Sequence, residues 1–216
     1  MNSASTPHEI ETALFVCAPE PQRICEQIAQ LQELAGYRLV PQAPKAIHDW
    51  YLDTPTHILR SKRLGLRVRQ SDTQLLLTLK GEAQMTDWGG VRRLEREQPW
   101  SRASFTELLS VLREAGVDVN PALATPSDPR AALRQVGLQV IQDRETHRQI
   151  RNIVATHRDE LLAELAIDAL TYHFASGPVR CYEVEIEEKQ GQQSALLQQL
   201  VEALMRSKPN HDRRPR

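Results

Sequence analysis

Two short stretches of this chain set carboxylates two residues apart, Glu9-Ile10-Glu11 near its start and Glu183-Val184-Glu185-Ile186-Glu187 near its end. In an extended strand successive side chains face opposite ways, so each stretch puts its acids on one face and its aliphatics on the other. Carboxylates that close together repel one another unless something cationic sits among them. The chemistry on offer is therefore the binding of a divalent metal or of a ring of arginines. Arginines are plentiful: of 27 basic residues only Lys45, Lys62, Lys80, Lys189 and Lys208 are lysine, which leaves 22 arginines. A guanidinium presents a planar fork that matches phosphate oxygens two at a time, where an ammonium acts as a point charge. A GC-rich coding sequence also favours arginine over lysine, so position has to carry the argument.

The elements that would position these groups can be read from periodicity. Apolar residues recur at three- and four-residue spacing over Pro21 to Leu34, Phe105 to Glu114, Pro129 to Val136 and Gln193 to Met205, which predicts four helices, with Gly36 and Gly116 at C-terminal stops. Two-residue alternation predicts strands near 9–16, 47–53, 64–70, 74–80, 91–97, 144–154, 162–170 and 181–188. Eight strands with few helices suggest a largely antiparallel sheet or barrel. Asn120 to Pro129, with three prolines, reads as a loop, and Ser207 to Arg216 as a basic, frayed tail.

The two faces of these strands differ. One carries Leu66 and Val68, Leu75, Leu77 and Leu79, Leu165 and Ile167, Val184 and Ile186. The other carries Arg67 and Arg69, Thr78 and Lys80, Arg93 with Glu95 and Glu97, Glu164 and Asp168, and Glu183, Glu185 and Glu187. A sheet with one wet face also alternates, but a solvated face has no reason to sort its charges by strand. Here two strands are almost purely acidic while the 67-to-80 hairpin is basic or neutral. A closed barrel with a polar interior explains the sorting, with an anionic ligand and metal ions between an acidic and a basic wall.

Composition bounds the rest. With 216 residues, 40% hydrophobic and 25% charged, the chain suits one soluble domain with a core. Met1 to Pro7 lacks an apolar leader core, and no stretch approaches the roughly 18 apolar residues of a membrane span, so a cytoplasmic, membrane-free location is expected. Cys17, Cys25 and Cys181 are odd in number and lack metal-finger spacing, which argues for buried or idle thiols. His8, His147, His157 and His173 lack ligand spacing. Trp50, Trp88 and Trp100 suit the barrel exterior or loop tips, and the tail is too sparse for nucleic acid. There is no P-loop, HExxH or Gly-x-Ser-x-Gly motif. Oligomeric state, including a homodimer, stays open.

Six motifs in order resemble the CYTH superfamily, the triphosphate tunnel metalloenzymes. They are Glu9-Ile10-Glu11, Tyr51-Leu52-Asp53-Thr54-Pro55, Leu59-Arg60 followed by Leu64-Gly65-Leu66-Arg67-Val68-Arg69, Leu77-Thr78-Leu79-Lys80-Gly81, Arg93-Leu94-Glu95-Arg96-Glu97, and Cys181 to Glu187. The resemblance implies an α+β fold, a closed tunnel of eight antiparallel strands with helices packed outside, over a domain of residues 1–206 followed by the tail 207–216. It implies metal binding by Glu9, Glu11, Glu183 and Glu185, supported by Asp168 and Glu187, with Mg²⁺ or Mn²⁺ as the suited ion. It implies phosphate binding by Arg67, Arg69, Lys80, Arg93 and Arg148, the last taken from a stretch, Arg144 to Arg151, whose three arginines spacing does not separate, with Glu9, Glu11, Lys80 and Arg93 taking part in catalysis. The chain from Tyr51 through Trp100, with its Gly89-Gly90 turn, resembles the bacterial inorganic triphosphatase branch, which makes hydrolysis of inorganic triphosphate the first expectation. Class IV adenylate cyclase, thiamine triphosphatase and a non-catalytic polyphosphate or nucleotide binder are the alternatives. One position departs from the family: its first strand carries a lysine two residues after the second glutamate, where this chain has Ala13.

Overall fold

The computed structural model describes residues 8–119, 128–156, 159–189 and 194–206, and for His8, Glu9 and Ser194 the backbone alone. Most of the predicted loop, the predicted tail and His157 lie outside the described residues. In chain order the elements are β1 (His8–Phe15), α1 (Pro21–Ala29), β2 (Glu33–Leu34), β3 (Tyr37–Pro41), β4 (Lys45–Asp53), α2 (Ile58–Ser61), β5 (Gly65–Ser71), β6 (Gln74–Lys80), β7 (Gln84–Met85), β8 (Val91–Pro99), α3 (Arg102–Glu114), α4 (Pro129–Gln135), β9 (Gln139–Val154), β10 (Leu161–Phe174), β11 (Gly177–Glu188) and α5 (Ser194–Arg206).

Eight strands close a ring in the order β1, β8, β6, β5, β4, β9, β10, β11 and back to β1, every pairing antiparallel. The expected α+β fold, a closed eight-stranded antiparallel barrel with helices outside, is the one observed. Because side chains alternate across a strand, the barrel is built inside out: its apolar faces point outward and are covered by helices. Trp50, Leu52, Leu66, Val68 and Leu77 meet Phe105, Leu108 and Leu112 of α3 and Leu133 of α4 on one flank. Ile153, Leu165, Ile167, Val184 and Ile186 meet Cys25 and Ala29 of α1 and Leu197 and Leu200 of α5 on the other. Each such leucine or isoleucine contributes about 2 kcal/mol by leaving water. The barrel thus holds together from its outside and leaves its bore free for charge.

Local chemistry starts and stops the helices where the barrel needs them. Ser101 and Ser104 form a reciprocal capping box at the start of α3, and Asp128 accepts from the backbone N–H of Arg130 ahead of Pro129 in α4. The Asp53 carboxylate accepts from the backbone N–H groups of Thr54, Leu59 and Arg60, at 2.7, 2.9 and 3.1 Å, and so fastens the short α2 to the end of β4. The Tyr-x-Asp-Thr-Pro motif therefore acts here as a structural cap. Helix α1 is shorter than predicted, ending at Ala29 instead of Leu34. Ala35 and Gly36, at φ of 53° and 83°, form a two-residue turn that pairs Leu34 with Tyr37, and β3 then extends the edge of β9. Leu31 and Leu34 continue the helical spacing past the break, which is why periodicity misses it and why Gly36 serves a hairpin and not a helix end. Gly116, at φ of 73°, does follow α3.

Candidate functional site

The bore of the barrel encloses a cavity of about 770 Å³ whose lining is almost wholly charged. Adjacent strands β1, β11 and β10 supply an acidic wall of Glu11, Glu187, Glu185, Glu183 and Glu164, with Asp168 at 1% exposure behind them. Strands β5, β6, β8 and β9 supply Arg67, Arg69, Lys80, Arg93, Arg144 and Arg148. For Glu9 the backbone alone is described, opposite Arg93 and two residues from Glu11 along β1.

The charges engage one another across the bore. Arg67 NH2 donates to Glu97 Oε2 at 3.2 Å, Glu95 Oε1 at 3.4 Å and Thr78 Oγ1 at 3.3 Å. Lys80 Nζ lies 2.6 Å from Glu95 Oε2, and Arg93 donates to Glu11. Arg148 Nε and NH2 form a two-pronged contact with Asp168 at 2.9 and 2.6 Å, and NH2 also reaches Glu185. Lys189 Nζ is 2.7 Å from Glu187. Two site residues escape the sequence reading. Asp49, fully buried, accepts from Arg69 and Arg144. Arg144 also donates to Tyr51 Oη at 2.9 Å and stacks over the Tyr51 and Tyr172 rings. The signal for Asp49 is its spacing: it lies two residues before Tyr51 and four before Asp53, on the same face of β4. The histidines whose side chains are described stay apart from this lining: His48 binds Asp143 and His173 approaches Glu145, neither partner being among the cavity residues.

The acidic wall carries more negative charge than its cations neutralise. Burial pushes Asp168 above the usual carboxylate range despite its Arg148 bonds. Burial, then Glu185, raises Glu183 to about 7. A metal fits this wall by donor chemistry: the ligands are hard carboxylate oxygens of the kind that suits Mg²⁺ or Mn²⁺. Among the described residues no three carboxylate, imidazole or thiol groups are already gathered as a metal-binding set. Glu11, Glu185 and Glu187 are turned toward Arg93, Arg148 and Lys189.

The Glu183 shift has a consequence for stability. Its folded value of about 7 exceeds its ordinary 4.5, so the folded state binds the proton more tightly. Stability is therefore lost as pH rises from about 4.5 to about 7, and the cost is complete above that. With chelator present, Glu183→Gln is expected to be more stable than the parent by about 2 kcal/mol at pH 8 and nearly equal to it at pH 4.5. Urea melts at the two pH values check this; a stability difference that ignores pH rejects it.

The structure also bears on Ala13. Ala13 faces Glu185 across the β1–β11 pair, and Glu185 faces Ala166 on its other side. The Arg148 guanidinium reaches from β9 past β10 to Glu185, so small residues flank a position that an arginine already serves. Ala13→Lys would crowd and repel Arg148. Calorimetry is expected to give the variant an unchanged or weaker affinity for tripolyphosphate; tightening of about tenfold would mean that the space was free.

The chain matches the CYTH domain family model over residues 21–215, a span that begins after β1. No curated protein matches it. Among solved structures it is similar to a candidate adenylyl cyclase from Hippeastrum with a dominant triphosphatase activity, at 17% identity over 91% of this chain and 88% of that one, TM-score 0.55. It is likewise similar to a candidate adenylate cyclase from Bacillus halodurans, at 19% identity over 95% and 94%, TM-score 0.55. At these identities the likeness is one of fold. No helix among the described residues is long and apolar enough to cross a membrane.

Proposed function

The chain belongs to the CYTH family, and from that premise we propose that it hydrolyses inorganic triphosphate to pyrophosphate and phosphate with the help of Mg²⁺ or Mn²⁺. The observation that carries the reading is the charged bore of about 770 Å³, in which acids on β1, β10 and β11 face guanidinium and ammonium groups on β5, β6, β8 and β9, with Glu95 and Glu97 of β8 among the basic groups. A phosphate chain is a linear anion, and a channel charged along its length suits it.

Arg67, Arg69, Lys80, Arg93, Arg144 and Arg148 would grip the phosphate oxygens. Arg67 Nε and Arg144 Nε are buried and have no hydrogen-bond partner among the described residues. Glu11, Glu183, Glu185 and Glu187, with Glu9 beside them in β1 and Asp168 in support, would hold the cation. A bound divalent ion would supply Lewis-acid stabilisation of the charge that develops on the phosphoryl oxygens. The basic wall holds the chain in line, and a glutamate of the acidic wall orients water toward the terminal phosphorus. Donors fixed in advance and shielded from bulk water provide most of the acceleration.

The test is phosphate release from tripolyphosphate, ATP and thiamine triphosphate, each with Mg²⁺ and with Mn²⁺. Release from tripolyphosphate that stops with chelator is expected; silence on all three substrates with both metals rejects the reading. A nucleotide substrate is the second reading, favoured by an aromatic rim. Tyr172 and Phe174 share the inner face of β10, their rings 6.2 Å apart and 13° from parallel. Phe174, Phe15 of β1 and Val179 of β11 are more than half exposed. Inorganic triphosphate has no use for such a rim, whereas a base can stack on it. Cyclic AMP formed from ATP would identify a cyclase, and tight binding without turnover a polyphosphate or nucleotide binder.

A further inference from the structure

We propose that Asp49 is a positioning residue of the basic wall, the carboxylate that sets the directions in which Arg69 and Arg144 face the substrate; this rests on the triphosphatase reading. Strand β4 lies between β5 and β9 in the ring, and Asp49 is directly opposite Arg69 on one side and Arg144 on the other. Its carboxylate is used fully. Arg69 Nε donates to Oδ1 at 2.8 Å and Arg69 NH2 to Oδ2 at 2.9 Å, a two-pronged fork, while Arg144 NH2 donates to Oδ2 at 3.0 Å. Arg67 Nε stands 3.9 Å from Oδ1.

Three guanidinium groups converging on one site repel one another, and each side chain has several rotatable bonds to disorder. A carboxylate at their centre offsets both effects. Burial alone would raise Asp49, but the Arg69 bonds and the charges of Arg67, Arg69 and Arg144 outweigh it and hold the group at about 2, so it stays ionised at any pH at which the protein works. Asp49 meets Arg69 and Arg144 with one negative charge against two positive ones, so that pair of arginines keeps a net positive charge toward the bore. Tyr51 Oη accepts from Arg144 NH2 as well. Asp49 touches no substrate in this arrangement; it acts through the arginines.

A residue present only to balance charge would behave differently, and two variants separate the roles. Asp49→Asn keeps the shape and loses the charge. Asp49→Glu keeps the charge and displaces the carboxylate by one methylene. Positioning predicts that kcat for tripolyphosphate falls about tenfold or more in both, because a misdirected donor loses its value in the transition state. KM should not rise in Asp49→Asn, whose bore is more positive. Arginine side-chain NMR supplies a readout independent of turnover: the Nε–H signal of Arg69, which donates to Asp49 Oδ1, is expected to be slow to exchange in the parent and fast in Asp49→Asn. Normal kcat in Asp49→Glu, with only KM altered in Asp49→Asn, would overturn the proposal in favour of charge balance. Loss of folding in both variants would overturn it in favour of a structural role. A parent that releases no phosphate would reject the triphosphatase reading instead, and unaltered arginine exchange in Asp49→Asn would then reject the positioning role on its own account.

Discussion

Glu11→Gln and Glu185→Gln are each expected to lower the rate of tripolyphosphate hydrolysis by on the order of a hundredfold, the usual value of one transition-state electrostatic contact. Glutamine preserves the shape of the side chain and its place in the β1–β11 ladder, where Glu11 faces Glu187 and Glu185 faces Ala13. What is lost is the charge that holds the cation. Glu185 is the cleaner of the two, because Arg148 keeps its two-pronged contact with Asp168 when Glu185 is neutral, so the barrel wall stays assembled. Weakened metal binding, as opposed to damaged structure, would appear as partial recovery at high Mg²⁺ with an unchanged melting temperature. Replacing His173, which approaches Glu145 away from the cavity lining, is expected to leave the rate within about twofold of the parent. Full activity of either glutamine variant under limiting metal would reject metal binding at this wall.

Legibility of the fold in the sequence followed the quality of the alternation. Over the central residues of β5, β6 and β11 the alternation is clean, as with Arg67 and Arg69 against Leu66 and Val68 and Glu183 and Glu185 against Val184 and Ile186, so both the strand and its inner face could be read. All eight barrel strands were readable from two-residue alternation, though their inner faces were not equally so. Strand β4 runs Lys-Ala-Ile-His-Asp-Trp-Tyr-Leu-Asp, where a tyrosine faces the bore and a histidine the exterior, and the blurred pattern hid Asp49. Strand β9 spans 16 residues and its Arg144-to-Arg151 stretch holds three arginines, so spacing alone could not choose among them. The pairings do: Arg144 lies opposite Asp49 and Arg148 opposite Asp168, which turns both into the bore. Glu95 and Glu97 were readable as inward residues but not as partners of Arg67, because that contact crosses from β5 over β6 to β8. Which acid meets which base is a property of strand order, and strand order is not written in local periodicity.

Arg67→Met is the substitution expected to damage both fold and function. At 5% exposure Arg67 is the most enclosed of the tunnel arginines. Its NH2 serves Thr78, Glu95 and Glu97 together. Burial opposes its charge, yet Asp49 and Glu95 keep it firmly protonated. Removing one member of a buried ionic set leaves the others without compensation, at a typical cost of about 3 to 5 kcal/mol. Here the loss should lie near the lower end, about 3 kcal/mol, because Glu95 retains Lys80 and Asp49 retains Arg69 and Arg144. The effect on turnover should be larger. Methionine fills the volume but offers no donor to a phosphate oxygen, so kcat/KM for tripolyphosphate is expected to fall between about a hundred- and a thousandfold. Arg67→Lys separates charge from geometry: an ammonium restores the charge but cannot reach three acceptors and a substrate oxygen from one planar fork. It should recover most of the stability and little of the rate. If the lysine variant regained the parent's kcat/KM, the bore would be acting as a diffuse positive field, and the directed grip assigned to its arginines would have to be abandoned.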